Sequence, residues 1–332
     1  MKLNKIGPSG VEVSALSFGA APIGNLYRAT SDADARAALD AAWDGGMRYF
    51  DTAPHYGLGL SERRLGEALR ERPRAEFTVS TKVGRLLVAD PAGADRRDSV
   101  FDVPADLRRV WDFSRDGVRR CIDASLQRLG LDRVDIVYLH DPDDHWRQAL
   151  EHGYPALAEL RDQGVIGAIG AGMNQSQMLT AFVKHTDMDL IMLAGRYTLG
   201  EQDALDDLLP ACQERGVAVV AVGVFNSGLL ARDRPPAGAK YNYADAPPEL
   251  VERANRIAGV CERHGVTLPS VALNFPLAHP AVVSVAVGCR DADQVNRNTA
   301  LFDTALPEAL WADLREAGLL RADAPIPEGA PE

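Results

Sequence analysis

Several kinds of functional motif are missing from this sequence of 332 residues. It has four cysteines, far apart and never in a C-x-x-C pair, so neither a disulfide framework nor a zinc knuckle is expected. Buried small thiols are the simpler interpretation of all four. No Gly-x-Gly-x-x-Gly follows a predicted strand and no Gly-Lys dipeptide occurs, which excludes the Rossmann fingerprint and the P-loop.

Long apolar segments are also missing. The longest uncharged run, residues 266–289, is interrupted by Pro269, Pro276 and Pro280, a pattern that a spanning helix of about 20 apolar residues does not tolerate well. The first ten residues have no apolar segment behind their lysines and do not resemble a secretory signal. We therefore expect a cytoplasmic protein.

The charge balance is acidic. The 36 Lys and Arg residues against 47 Asp and Glu residues give a formal net charge of −11. Sequence-independent binding to nucleic acid or to an anionic membrane needs a dense basic surface, so we expect neither as a partner. A small-molecule substrate stays compatible with this charge. The length accommodates one large α/β domain over residues 1–332.

Eight short apolar runs alternate with amphipathic segments, which is the pattern of βα units around a parallel sheet. The runs are apolar at their centres, as expected for strands buried on both faces, and cover residues 16–23, 48–53, 78–83, 134–141, 168–173, 190–195, 218–225 and 284–288. The predicted helices begin after Ser31 and cover residues 61–70, 114–129, 146–163, 175–184, 203–215, 248–264 and 291–301. This count favours a closed (β/α)8 barrel, although an open doubly wound sheet has the same alternation.

Further segments surround the predicted barrel. Residues 3–6 and 11–13 flank a turn-rich tetrad and predict an N-terminal β-hairpin that covers the N-terminal mouth of the barrel. Two connections, residues 84–110 after the third strand and 226–246 after the seventh, are unusually long. Both follow strands, so we expect them above the C-terminal face, where barrel enzymes place their active sites. Residues 306–319 predict a C-terminal helix.

Four ionisable residues lie at, or one short loop beyond, the C-terminal ends of three predicted strands. Asp51 and Tyr56 follow the second strand, Lys82 ends the third and His140 ends the fourth. Each alone has an ordinary explanation, such as a turn cap or a solvated side chain. Together they predict a proton-transfer site, because an ammonium lowers the pKa of a nearby tyrosine, a carboxylate orients the lysine, and a histidine positions a substrate oxygen.

The segment from His140 to His145 contains histidine and carboxylate groups, which suit zinc or manganese. Pro142 breaks the helical spacing of these residues. We therefore expect a solvated acidic rim at this position and no metal.

The sequence around Tyr56 resembles a known signature. Residues 48–57, RYFDTAPHYG, continue through SERRLG at 61–66 and are similar to the signature of the aldo-keto reductase superfamily. STKVG at 80–84 and VYLH at 137–140 have the superfamily's order and approximate spacing. The resemblance implies a (β/α)8 barrel that binds NAD or NADP without a Rossmann domain. It also implies a tetrad of Asp51, Tyr56, Lys82 and His140, with Tyr56 as the general acid/base.

The resemblance also implies the cofactor contacts. GAGMN at 170–174 resembles the segment whose asparagine holds the nicotinamide carboxamide, here Asn174. Residues 288–298 resemble the segment that grips the adenosine half, which implies cofactor roles for Gly288, Arg290, Gln294, Arg297 and Asn298. Arg290 could pair with a 2′-phosphate, which favours NADP, or stack on adenine or face solvent.

Two positions depart from the superfamily's pattern. Ala194 stands where many members have a glutamine that contacts the carboxamide. Phe225 lies near the place of a tyrosine that stacks on the nicotinamide, and it is the candidate to stack instead.

Three segments are similar to the branch of the superfamily that oxidises aldoses at C1: FNSGLL at 225–230, SFGAAPIGNL at 17–26 and LHDPD at 139–143. This similarity implies oxidation of a cyclic hemiacetal to a lactone, with Tyr56 accepting the anomeric hydroxyl proton as hydride passes to C4 of the nicotinamide. Competing hypotheses are oxidation of pyridoxal, general aldehyde or ketone reduction and, in a different class, a regulatory protein that senses cofactor occupancy.

Overall fold

The structure is a computed structural model that describes residues 1–242 and 244–327. Within this part the strands are, in chain order, β1 (Leu3–Lys5), β2 (Glu12–Ser14), β3 (Leu16–Gly19), β4 (Tyr49–Asp51), β5 (Thr78–Val83), β6 (Arg85–Ala89), β7 (Leu107–Trp111), β8 (Ile136–His140), β9 (Ala168–Met173), β10 (Leu190–Ala194), β11 (Ala218–Val222), β12 (Lys240–Tyr241), β13 (Ala244–Asp245) and β14 (Val282–Gly288).

Eight of these strands form a closed parallel barrel in the order β3, β4, β5, β8, β9, β10, β11 and β14, with β14 paired to β3. The prediction of a (β/α)8 barrel is confirmed. Two of the barrel strands end three or more residues earlier than predicted. β3 ends at Gly19, so Ile23 lies in a 3-10 turn, and β11 ends at Val222 because Gly223 adopts a positive φ of 64°, which places Phe225 in the following turn.

The helices of the described part are α1 (Asp32–Asp44), α2 (Leu60–Leu69), α3 (Arg115–Leu129), α4 (Trp146–Gln148), α5 (Tyr154–Asp162), α6 (Ser176–His185), α7 (Leu208–Arg215), α8 (Pro248–Arg263), α9 (Leu268–Asn274), α10 (Ala292–Phe302) and α11 (Glu308–Glu316). Ser31 and Ser114 cap α1 and α3 by accepting backbone N–H groups of the first turn. A π-helical segment, Ala149–Gly153, joins α4 to α5.

Helix α9 is not predicted by the sequence pattern. The three prolines of this region argue against one long helix, yet Pro269 occupies the first turn of α9, where proline is tolerated, and Pro276 begins a 3-10 helix, Phe275–Ala278. Helix α9 therefore completes the barrel between β11 and β14, and α8 is an addition to it.

The predicted N-terminal hairpin is present and consists of β1 and β2. Val13 of β2 and Ile6, just after β1, belong to the buried cluster inside the barrel with Ile136 and Leu190.

Among the residues that the structure describes, no helix is long and apolar enough to cross a membrane.

The two long connections also contain regular structure. In the first, β6 and β7 form an antiparallel hairpin in which Arg85 pairs with Trp111 and Leu87 with Arg109. In the second, β12 and β13 form a short antiparallel pair on either side of residues 242 and 243, and position 243 lies outside the described residues. Both connections leave the C-terminal ends of barrel strands.

The close packing of α2 on α3 depends on Gly66. A Cβ atom at this position would lie 2.0 Å from the carbonyl oxygen of Leu129, whereas a Cβ at Gly259 in α8 meets no atom of the described chain within 4 Å. We expect Gly66→Ala to lower the free energy of unfolding by about 1–3 kcal/mol through overpacking. Gly259→Ala is the matched control and should raise it by about 0.5–1 kcal/mol, since alanine favours a helix. Denaturant titration measures both, and equal effects would contradict this account of Gly66.

Candidate active site

Three neighbouring strands bring the predicted tetrad together. Side chains of a strand alternate between its two faces, and Tyr49 of β4 and Tyr138 of β8 point into the barrel interior. Asp51 and His140 lie two residues further along the same strands, so they share that face at the C-terminal end of the barrel. Lys82 of β5 lies between them and contacts Asp51.

The Lys82 ammonium and the Asp51 carboxylate form a buried ion pair. Nζ of Lys82 donates to Oδ1 and Oδ2 of Asp51 at 2.8 and 2.6 Å and to the carbonyl oxygen of Thr52 at 3.1 Å. The two side chains are only 2% and 5% exposed. Burial opposes the ammonium, but Asp51 and Tyr56 outweigh it and raise the pKa of Lys82, so the lysine stays charged.

Tyr56 lies beside this ion pair. Nζ of Lys82 is 4.9 Å from the centroid of the Tyr56 ring, and the Tyr56 and His140 rings are 5.9 Å apart and nearly perpendicular. Burial raises the pKa of Tyr56 to about 12, and the charge of Lys82 acts in the opposite direction. Lys82 therefore has the electrostatic effect that the sequence predicts, although burial dominates.

Two histidines near Tyr56 are held neutral. Burial and the charges of Arg85 and Lys82 keep the pKa of His140 well below its usual range. Burial, with Arg85 and Arg109, lowers the pKa of His55 to about 3. The Nδ1 atoms of both rings are buried without a hydrogen-bond partner among the described residues, and the rings are 5.6 Å apart. His55 was missed from the sequence, although it directly precedes Tyr56.

The β6–β7 hairpin adds two charged groups, Arg85 and Arg109, that the sequence did not identify as site residues. Arg85 donates to Asp141 at 2.6 Å, and its guanidinium lies 4.4 Å from the centroid of the Trp111 ring. Arg109 donates to Asp98 at 2.5 Å and to the carbonyl oxygen of His55 at 3.0 Å. The hairpin is therefore attached to the turn that carries Tyr56. The only signal for this in the sequence was the length of the connection.

A cavity of about 610 Å³ lies at the C-terminal ends of β9, β10, β11 and β14. Three predicted cofactor residues, Asn174, Phe225 and Gly288, are on its wall. Ala194 is there too, with a methyl group where a glutamine amide would otherwise donate. Gly195, Gly223 and Gly288 line the same cavity, so these positions at the strand ends carry no side chains. These residues fit the nicotinamide half of a dinucleotide.

The other four predicted cofactor residues lie apart from this wall, at α10. Gln294 accepts from the Arg290 backbone at 3.1 Å and donates to Asp291 at 3.1 Å. Asn298 donates to Sγ of Cys289 at 3.2 Å, and Arg297 donates to the carbonyl oxygen of Ala231 at 2.9 Å. The Asp291 side chain caps the helix by accepting from the Gln294 N–H, so an acidic group already occupies this helix start.

The Arg290 guanidinium is bound to the segment of residues 22–30. Its Nη atoms donate to the carbonyl oxygens of Pro22, Leu26 and Arg28 and to Oγ1 of Thr30. Leu26 and Tyr27 of this segment line the 610 Å³ cavity, as do Lys240 and Asn242 from the second long connection. Sequence reasoning missed these wall residues because they come from loops whose conformations depend on distant contacts.

Among the described residues, no group of three or more His, Cys, Asp and Glu side chains is arranged to hold a metal ion. The segment from His140 to His145 contains a 3-10 turn, Asp143–His145, and Asp141 of this segment pairs with Arg85.

The low pKa of His55 makes stability depend on pH. Below about pH 6.5 the unfolded chain binds a proton at this residue that the folded protein excludes until about pH 3, so stability falls as the pH falls. We expect His55→Gln to reduce that slope by up to about 1.4 kcal/mol per pH unit between pH 6 and 4. Denaturant titrations across this range measure it, with exposed His185→Gln as the control. Identical slopes for wild type and His55→Gln would contradict the prediction.

The sequence of this chain is similar to those of known proteins. Residues 15–318 match the sequence profile of the Aldo/keto reductase family. The chain is 51% identical to D-threo-aldose 1-dehydrogenase from a Pseudomonas species, over 94% of this chain and 96% of that protein. It is 41% identical to pyridoxal 4-dehydrogenase from Microbacterium luteolum, over 95% and 97% of the two chains.

Among solved structures, the holo form of aldo-keto reductase AKR11C1 from Bacillus halodurans superposes with a TM-score of 0.78 at 27% identity. The superposition covers 98% of each chain. The chain therefore belongs to the aldo/keto reductase family and is an NAD(P)-dependent oxidoreductase.

Proposed function

We propose that this protein is an aldose 1-dehydrogenase that oxidises the C1 hemiacetal of a free sugar, of the L-fucose, D-arabinose or L-galactose type, to its lactone. The observation that carries the choice of substrate is the 51% identity, over nearly the full length of both chains, to D-threo-aldose 1-dehydrogenase. Two features support the chemistry: the buried Lys82–Asp51 pair beside Tyr56, and a cavity at the same end of the barrel whose wall includes Asn174.

In this proposal Tyr56 moves the proton. Its hydroxyl oxygen accepts the anomeric hydroxyl proton during oxidation and returns a proton during reduction. The charged Lys82 stabilises the phenolate form, and Asp51 holds Lys82 in place through two hydrogen bonds. A neutral His140 donates or accepts a hydrogen bond at the substrate oxygen without adding charge. The nicotinamide supplies the hydride acceptor when it is bound.

The rim above Tyr56 suits a polyhydroxylated ring. Asp141 and Arg85 supply an acceptor and donors for hydroxyl groups, and Trp111 is 39% exposed beside them. Aromatic faces and planar hydrogen-bonding groups together bind the apolar and polar faces of a sugar.

A second candidate is oxidation of pyridoxal, which the 41% identity to pyridoxal 4-dehydrogenase favours. An aromatic ring would then stack at Trp111. General aldehyde or ketone reduction and a regulatory role in sensing cofactor occupancy are two further candidates. The tetrad favours the enzymes over the regulatory protein, because a sensor needs no proton-transfer group.

The test is a steady-state panel. We expect several free aldoses to reduce NAD or NADP with lactone as the initial product, identified by its hydrolysis to the aldonic acid. Turnover of pyridoxal alone would favour the second candidate. Cofactor binding without turnover of any aldose, pyridoxal or simple aldehyde would contradict an enzymatic role.

The Tyr56→Phe variant links that turnover to the site. Removing the hydroxyl should lower kcat by about 100-fold or more, since general acid–base catalysis contributes roughly 10²–10⁴-fold. Dinucleotide affinity, measured by fluorescence titration, should change little. Tyr197→Phe removes another buried hydroxyl, far from the tetrad in the chain, and is the matched control. Wild-type turnover in Tyr56→Phe would remove Tyr56 from the mechanism.

The contacts of Arg290 favour NAD over NADP. Both of its Nη atoms already donate to oxygens of residues 22–30, so a 2′-phosphate would have to displace those contacts. We expect Arg290→Ala to leave the ratio of kcat/KM for NAD and NADP within about twofold of wild type. Loss of a charge-assisted phosphate contact of about 1.4 kcal/mol or more would instead change it at least tenfold. Arg28→Ala, at an exposed residue whose charge acts on Arg290, is the control for removing a nearby positive charge.

A further inference from the structure

A second layer of polar side chains lies inside the barrel, directly below the tetrad. Each strand that carries a tetrad residue has a hydroxyl residue two positions earlier: Tyr49 before Asp51, Ser80 before Lys82 and Tyr138 before His140. Because strand side chains repeat on one face every two residues, these hydroxyls point into the barrel one layer below. All three residues are fully buried.

The three hydroxyls form one chain that ends on Asp51. Oγ of Ser80 donates to Oδ1 of Asp51 at 2.7 Å. The Tyr49 hydroxyl lies 2.9 Å from Oγ of Ser80 and 2.9 Å from the Tyr138 hydroxyl. A carboxylate only accepts, so Ser80 uses its proton on Asp51, Tyr49 must donate to Ser80, and Tyr138 must donate to Tyr49. Every hydroxyl dipole in the chain therefore points towards the carboxylate.

Packing alone does not require these hydroxyls. The apolar side chains packed around Tyr49 and Tyr138 include Ile136, Leu190 and Met192, and phenylalanine would occupy nearly the same volume as either tyrosine. Burying a hydroxyl in such surroundings costs free energy unless it is hydrogen-bonded. Burial, reinforced by Asp51, raises the pKa of Tyr49 well above its usual value, so its phenol stays protonated and can donate.

We propose that Ser80, Tyr49 and Tyr138 are positioning residues that set the proton affinity of Tyr56 by acting through the Asp51–Lys82 ion pair. The inference rests on the proposed role of Tyr56 in proton transfer. Hydrogen bonds along a chain polarise one another, so three aligned donors disperse part of the negative charge on Asp51. With less negative charge beside it, the Tyr56 phenolate forms more easily and the pKa of Tyr56 is lower than it would be without the chain.

Other charged or titratable groups face Tyr56, and substitution of the three hydroxyl residues leaves all of them in place. Asp51, Lys82, Arg85 and His140 come from β4, β5, β6 and β8 in that order. The other two are His55, which directly precedes Tyr56, and Asp141, which follows β8. A change in the pH profile of a chain variant therefore reports on the hydroxyls and not on a lost charge.

The experiment compares Ser80→Ala, Tyr49→Phe and Tyr138→Phe with wild type in pH–kcat profiles, measured for aldose oxidation and for reduction of an aromatic aldehyde. Oxidation needs the Tyr56 phenolate, so its rate rises with pH, and reduction needs the phenol, so its rate falls. Loss of the donors raises the pKa of Tyr56. Both limbs should therefore move to higher pH by roughly 0.3–1 unit, a fraction of the about 1–2 units that one hydrogen bond to a charged group is worth at that group itself.

The expected changes distinguish a positioning role of the three hydroxyl residues from a general loss of activity caused by a disturbed fold. At pH values below the pKa that limits oxidation, kcat for oxidation should fall by about 2- to 10-fold. At high pH, kcat for reduction should rise, and KM for the aldose should stay unchanged. The shift should be largest in Ser80→Ala, which removes the direct contact, and smallest in Tyr138→Phe. Tyr197→Phe is the matched control, because it removes a buried phenol that has no hydrogen-bond partner within the described part of the chain. Its profile should overlay wild type.

Two results would overturn the inference. The first is a pH–kcat profile in Ser80→Ala and Tyr49→Phe whose rising and falling limbs lie at the same pH as in wild type. The second is an equal loss of kcat for oxidation and for reduction without a shift of either limb. Should Tyr49→Phe not fold, Tyr138→Phe removes only the end of the chain and carries the same test. If wild type oxidises no aldose while the reductive limb still shifts, the aldose assignment fails and the positioning role stands.

Discussion

The buried ion pair between Lys82 and Asp51 is the interaction on which the site depends. Taking an ammonium and a carboxylate out of water is costly, and their attraction compensates only when their remaining hydrogen-bonding capacity is satisfied. The barrel satisfies it with groups on adjacent strands: the Thr52 carbonyl accepts from Lys82, and Ser80 donates to Asp51. Removing either charged partner would leave the other buried and unpaired. The pair therefore constrains the sequence of β4 and β5 as well as the chemistry at Tyr56.

This constraint explains why the groups around Tyr56 are neutral or paired. His55 and His140 stay uncharged, Arg85 is matched by Asp141, and Arg109 by Asp98. A further unpaired cation would compete with Lys82 for Asp51, and a further anion would oppose formation of the phenolate. The chain as a whole carries a net charge of −11. Positive potential near the site therefore comes from a few fixed groups, and most of those are already bound to acids or carbonyls.

The sequence predicted the features that follow from local periodicity. The eight barrel strands and the convergence of Asp51, Tyr56, Lys82 and His140 come from apolar runs and from residues at strand ends. The same two-residue repeat places Tyr49, Ser80 and Tyr138 below the tetrad, although only the structure connects them. Helix α9 was missed because prolines usually break helices, whereas one of these occupies a helix start. The contacts of Arg290 and of the β6–β7 hairpin join residues far apart in the chain, so no local pattern could specify them.

Residues 22–30 show how those long-range contacts shape the cofactor cavity. Arg64 of α2 donates to the carbonyl oxygens of Ile23 and Thr30, and Arg290, just before α10, donates to other carbonyl oxygens of the same segment. Two arginines thus hold by hydrogen bonds a segment whose Leu26 and Tyr27 line the cavity. Each guanidinium offers several donors in one plane, so it fixes the direction of the backbone as well as its distance. Gly288, at the end of β14, lines the same cavity, and α10 follows β14 in the chain. The hydrogen bonds of Arg290 therefore connect the start of α10 to residues 22–30, so both parts of the cavity wall are held together.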